Sequence, residues 1–415
     1  MPIGIADRRD ERRKSSVRFL DRASPPHVIT LVLLAGVSAM SMNVFLPSLP
    51  RMAAHFGTDY ALMQLSVAIY LGMNALLQVF VGPIADLYGR RPVIIGGLVL
   101  FLLATLGCIY APNVEIFLAF RMAQAAVVTG MVLSRAIVRD MFPPDQAASM
   151  IGYVTMGMSV VPMLAPALGG WLDELFGWQA NFWALLAIGV ILFLLVWFDL
   201  GETGQRGSIS LLAQFRQYPE LLTSRRFWGY CLASAFSSGA FFAYLGGAPY
   251  VGDRVFGLDP AVLGAFFGAP AVGYFLGNYL SGRYSVRFGI NRMILAGTLL
   301  CSGGMLASLA LFELGLGNPY VFFGFMTFVG LGNGLTIPNA TSGMLSVRPH
   351  LAGTASGLGG AMMIGGGAAL SALAGAVLGD GRGAEPLIVI MLATALAGVA
   401  AMLFTIRRER QLSGD

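Results

Sequence analysis

Arg121 is the residue of this chain that most needs a chemical explanation. It lies inside the apolar stretch 114–136, and an arginine deep in a membrane helix costs roughly 2.5–3.5 kcal/mol on insertion scales. Such a group must face a cavity or a partner, or snorkel outward to headgroups. A second charged feature is Gly82-Pro83-Ile84-Ala85-Asp86-Leu87-Tyr88-Gly89-Arg90-Arg91-Pro92. It sets Asp86, Arg90 and Arg91 into a short link between two apolar stretches, which must therefore meet water. The groups an enzyme would need are missing. Cys108, Cys231 and Cys301 fall in apolar stretches without a C-x-x-C pair, and His27, His55 and His350 are as scattered, so neither a disulfide framework nor a metal site is expected. Lys14 is the only lysine, which excludes a phosphate-binding G-x-x-x-x-G-K-[ST] loop. No cofactor and no nucleic-acid partner are expected.

The elements that position these groups are membrane helices. The 415 residues are 56% hydrophobic and 11% charged, against about 25% charged in a typical soluble domain; a soluble chain so composed could not coat its surface. Twelve stretches are long enough to span a bilayer: 27–49, 61–83, 92–111, 114–136, 149–172, 180–199, 227–250, 260–282, 292–312, 319–341, 352–378 and 386–406. The first is longer than the core of a secretory signal and is read as a retained helix. Residues 200–226 carry Arg206, Arg216, Arg225 and Arg226 around Leu211, Leu212, Phe215, Leu221 and Leu222, the pattern of an interfacial helix joining two halves. With the N-terminus in the cytoplasm, 22 of the 26 Lys and Arg fall on the inner side, and only Arg51, Arg254 and Arg382 outside. The positive-inside rule then places both the basic tail 1–26 and the tail 407–415 in the cytoplasm. The expected fold class is an all-α membrane protein of twelve helices in two six-helix bundles, 27–199 and 227–406.

The halves echo each other. Gly82 and Gly89 bracket the turn after the second stretch, and Gly282 and Gly289 the turn after the eighth, where glycine is expected to allow tight turning and close backbone contact. The fifth stretch holds Pro162-Met163-Leu164-Ala165-Pro166-Ala167-Leu168-Gly169-Gly170. Its prolines are expected to kink the helix, and Gly169-Gly170 to admit a neighbour.

The pattern G-x-x-x-D-x-x-G-R-R-P resembles the signature loop between helices 2 and 3 of major facilitator transporters. Arg121-Met122-Ala123-Gln124-Ala125-Ala126 resembles the span-4 motif of that superfamily. The Pro162–Gly170 segment resembles the span-5 motif of drug/proton antiporters, with Ala165 where that motif usually has glycine. Asn43-Val44-Phe45-Leu46-Pro47-Ser48-Leu49-Pro50, Arg135-Ala136-Ile137-Val138-Arg139-Asp140 and Gly332-Asn333-Gly334-Leu335-Thr336-Ile337-Pro338-Asn339-Ala340-Thr341 look like the Bcr/CflA group of bacterial drug-efflux transporters. The resemblance covers nearly the whole chain.

What the resemblance implies is specific. The 2–3 loop would grip the opposite half and hold the outward-open state, with Arg90 and Asp140 as partners, Arg91 beside them, and Asp86 facing Thr354 and Ser356. Arg121 would take part in proton handling. Spans 1, 4, 7 and 10 would surround the path, offering Asn43, Arg121, Gln124, Phe241, Tyr244 and Asn333, with Tyr70, Asn74 and Tyr274 behind them. One departure matters: the group commonly has aspartate where this chain has Asn43, and an amide cannot titrate. Arg121 is therefore open to a second reading, selection of an anionic or zwitterionic metabolite. The leading expectation is a monomeric, non-enzymatic exporter of small amphipathic compounds such as antibiotics. It would sit in the bacterial inner membrane and be driven by protons.

Overall fold

The structure is a computed structural model, and it describes residues 19–22, 24–141, 161, 164–203, 218–348, 352–379 and 383–413. Within these, the side chains of residues 86, 139, 218, 352–354, 356, 412 and 413 lie outside the description.

The described residues form helices and no strand. In chain order they are α1 Val28–Asn43, α2 Leu49–Phe56, α3 Tyr60–Tyr88, α4 Arg90–Ile109, α5 Val114–Gln124, α6 Val128–Met141, α7 over 164–176, α8 Gln179–Asp199, α9 Tyr218–Leu222, α10 Arg225–Tyr250, α11 Pro260–Phe266, α12 Ala269–Phe288, α13 Ile290–Glu313, α14 Pro319–Val347, α15 Ala352–Val377 and α16 Glu385–Ser413. Eleven helical segments among the described residues are long and apolar enough to cross a membrane. The fifth expected span enters as α7, and its earlier part, with Pro162, lies outside the described residues.

Two expectations change. The first span does not end near Leu49: its helix stops at Asn43, passes through a 3-10 turn at Leu46–Ser48 and resumes to Phe56. Pro47 and Pro50 lack the N–H that would continue the first helix, and both suit the start of a new turn. Nor does Gly82 make a turn. It lies inside α3, which runs on to Tyr88, and a Cβ there would meet nothing within 4 Å. The turn is made by Gly89 alone, at φ 100°.

The repeat is written in helix ends. Gly57 and Gly257 close the turns before α3 and α11 at φ 61° and 63°. Asp59 and Asp259 then occupy the N-caps at φ −64° and −65°. Gly89 and Gly289 open α4 and α13 at ψ 153° and 152°. Asn113 and Asn318 cap α5 and α14, each side chain accepting the backbone N–H three residues on, which satisfies an otherwise orphaned helix donor. Small residues bring helices together within the second half: a Cβ at Gly273 would overlap the Thr327 carbonyl oxygen, and one at Gly330 that of Pro270.

The two halves meet most closely at the end opposite the chain termini, called here the far end. There α3 packs along α15, and the Leu46–Ser48 turn packs on α10 and α11. A Cβ at Gly170 would overlap the Pro260 carbonyl oxygen, and one at Gly264 that of Pro166. Glycine is required at these positions because backbone touches backbone.

Candidate functional site

Arg121 is fully buried. Asn113 starts α5, and the helix gives way to a 3-10 turn at Ala125–Val127, which leaves Arg121 and Gln124 on its last turn, facing α1. The α1 break frees carbonyls that a continuing helix would use. One of them, Ser41 O, accepts from Arg121 Nη2 at 2.7 Å, with Ser41 Oγ 3.4 Å from Nη1. Nη1 also donates to Gln124 Oε1, and Gln124 Nε2 to Thr105 Oγ1 at 2.8 Å. The guanidinium lies over Phe45 and Tyr70, 4.3 and 4.2 Å from their ring centres. No carboxylate among the described residues pairs with it. Hydrogen bonds to a charged group contribute about 1.5–3 kcal/mol each, and a desolvated cation–π contact about 2 kcal/mol. Together they offset the roughly 2.5–3.5 kcal/mol cost of the arginine at this depth.

The other candidates for the path fall into separate groups. Asn43 is buried, donates to Ala39 O at 2.7 Å and leaves its Oδ1 without a partner. In the second half, Ser237 donates to Asn333 Oδ1 at 2.8 Å, and Phe241 stacks on Tyr244 at 6.4 Å. Tyr244, Gln124 and Asn333 are buried, and Phe241 is the one of the six that is partly exposed. Tyr70 and Asn74 are buried as well; Asn74 accepts from Gln78 at 2.8 Å, and Gln78 stands against Gly360 of α15. Five of the six candidates are thus buried in this conformation.

At the end bearing the termini, Arg90 Nε reaches Asp140 Oδ2 at 2.8 Å. Glu202 accepts the backbone N–H of Arg90 at 2.8 Å and of Arg91 at 3.3 Å, capping α4. Arg91 donates to Leu200 O at 2.8 Å and lies 5.2 Å from the Trp197 ring centre. The side chain of Asp86, and its expected neighbours Thr354 and Ser356, lie outside the described residues. In the second half, Glu409 binds Arg226 at 2.6 Å, Tyr230 at 2.8 Å and the Asn291 amide. None of these described bonds joins residues 27–199 to residues 227–406.

At the far end the bonds cross. Tyr60 Oη donates to Gly246 O at 2.8 Å, and the fully buried Gln64 donates through Nε2 to Ser371 O at 2.6 Å and Oγ at 2.7 Å. Sequence reasoning missed Gln64, Glu202, Glu409 and Asp199, whose Oδ2 accepts from the His27 N–H at 2.9 Å and the Thr30 hydroxyl at 2.6 Å. A polar amide within an apolar stretch was the available signal for Gln64, but a partner 307 residues away was not legible. Of the kink motif, Pro166, Gly169 and Gly170 lie in the continuous helix α7, and a Cβ at Gly169 would overlap the Val44 carbonyl oxygen.

A membrane bundle of two repeated halves, hydrogen-bonded to each other at the far end among the described residues, fits a transporter. The chain belongs to the Major Facilitator Superfamily, whose family model matches residues 31–372. It is 30% identical over 398 residues to an uncharacterized MFS-type transporter, YdgK, of Bacillus subtilis, covering 92% of this chain and 95% of that one. It is 28% identical to a bicyclomycin resistance protein homolog of Haemophilus influenzae, covering 93% and 98%. The crystal structure of a D-xylose–proton symporter superposes with a TM-score of 0.71 at 16% identity, over 91% of this chain and 96% of that one. The chain is thus a multi-pass membrane protein of a transporter family.

Proposed function

We propose that this chain exports small amphipathic compounds from the bacterial cytoplasm, with both termini inside, by rocking residues 27–199 against 227–406. The observation that carries the reading is the far-end clasp. Tyr60, Gln64, Gly170 and Gly264 bind the halves at the far end, and none of the ion pairs described at the other end joins 27–199 to 227–406. This supports a conformation that receives solute from the side of the termini. Bicyclomycin resistance in a relative of nearly equal length supports an antibiotic-like cargo. The proton gradient is the proposed drive. With Asn43 in span 1 and no acid at the centre of any span, the proton is carried by a carboxylate nearer the span ends. The test is accumulation of N-phenylnaphthylamine in cells expressing the chain, with and without an uncoupler. Expression should lower accumulation and the uncoupler should restore it; export indifferent to the uncoupler would remove proton coupling from the reading.

A further inference from the structure

We infer that the cargo crosses in an uncharged form, and that Arg121 positions the wall of the path and does not bind the cargo. This rests on the export reading and names its substrate class. A charged solute at the middle of the bilayer needs an opposite charge there, because desolvation otherwise bars its entry. For a cation the chain offers none: all 21 Asp and Glu lie in tails, links or the end turns of spans, and the span-1 position that could have held one is the amide Asn43. For an anion the one deep positive group is Arg121, and it is sealed. It has no accessible surface, Phe45 and Tyr70 lie against its planar group, and Ser41 and Gln124 accept from Nη1 and Nη2, leaving the buried Nε as its unpaired donor. An anion would have to displace an aromatic ring to reach it. What the described spans offer is uncharged: Gln78 against Gly360 between the halves and, within the second half, Met363 beside Ser234 and the partly exposed ring of Phe241. Dipoles, a thioether and an aromatic face suit a neutral amphiphile.

The experiment uses one scaffold in three charge states: chloramphenicol, its hemisuccinate anion, and the trimethylammonium form of its deacylated amine. Uptake of each is measured in inside-out vesicles containing the full chain, under an imposed pH gradient. The neutral compound should be taken up, and each charged form at least about tenfold more slowly. Uptake of either charged form at the rate of the neutral one overturns the inference and leaves the export reading standing. Uptake of none of the three overturns the export reading, and the inference with it. Arg121→Gln separates a wall from a ligand even if it slows transport. The ratio of neutral to anionic uptake should stay within about twofold of the unsubstituted chain. A tenfold rise in that ratio would make Arg121 an anion ligand and overturn its positioning role.

Discussion

Replacing Gln64 by glutamate tests whether the far-end clasp sets the conformational equilibrium. The side chains are nearly the same size, so packing is preserved and only the chemistry changes. Gln64 Nε2 donates to Ser371 O and Oγ in a site with no accessible surface. A carboxylate cannot donate to the Ser371 carbonyl and is repelled by it. The Ser371 hydroxyl can turn to donate, but losing the bond to the carbonyl costs about 0.5–1.5 kcal/mol, and burying a carboxylate without a cation beside it adds several kcal/mol more. Opening the far end hydrates the group and relieves both, so the closed-to-open ratio should fall by more than about 100-fold. Spin labels at Ala54→Cys and Arg254→Cys, both exposed, read the far-end distance by pulsed electron resonance; Cys108, Cys231 and Cys301 are buried. Gln64→Glu should lengthen the distance relative to the parent. Identical distributions for parent and variant would refute the clasp.

Two further substitutions separate glycines by the space around them. Gly89→Ala should lower thermal stability by about 1–3 kcal/mol, the usual cost of a side chain in a glycine-only conformation, since φ is 100° and the new Cβ would press on the Glu202 carboxylate. Gly82→Ala should be neutral or stabilising by about 0.5–1 kcal/mol, and equal melting shifts for the pair would contradict the reading. Gly170→Ala should hold the far end apart and abolish export in the dye assay, because its Cβ would overlap the Pro260 carbonyl, whereas Gly366→Ala meets open space and should export normally.

Most of the architecture was legible because it follows from bulk chemistry. Long apolar stretches can satisfy their backbone in lipid only as helices, so span number and order came from composition and length. What could not be read was local. The apolar run through Val44 and Phe45 hides the break after Asn43, since prolines at 47 and 50 are compatible with either a kink or a restart. Gly82 was misassigned as a turn residue because a glycine near a helix end looks the same whether the helix stops before it or runs past it. Arg90 and Asp140, 50 residues apart, were pairable from the superfamily resemblance, and the structure joins them. Glu202 caps the same turn from 112 residues away, a closure that no local pattern announces. The enclosure of Arg121 by Phe45 and Tyr70 was equally silent, because aromatic residues in spans read alike whether they face lipid, cavity or a cation.

The internal repeat shows where the halves have been allowed to differ. Gly57, Asp59 and Gly89 recur 200 positions later as Gly257, Asp259 and Gly289, and Asn113 recurs 205 later as Asn318. By the same offsets Gln64 corresponds to Gly264, Pro166 to Ser371 and Gly170 to Gly375. The two far-end seams are therefore one contact used twice. Gly264 lies against Pro166 in one, and Gln64 bonds Ser371 beside Gly375 in the other. The glycine seam has no directional bond to break, so it fixes how near the halves can come but contributes little that a change of chemistry could weaken. The amide seam has the opposite character: its bonds require the far end to be shut, and opening would leave both groups to water. A contact made in one state and lost in the other is what biases a two-state equilibrium. If the halves rock as proposed, the asymmetry between Gln64 and Gly264 puts the adjustable part of the switch on α3 and α15, and leaves α7 and α11 to set its closest approach.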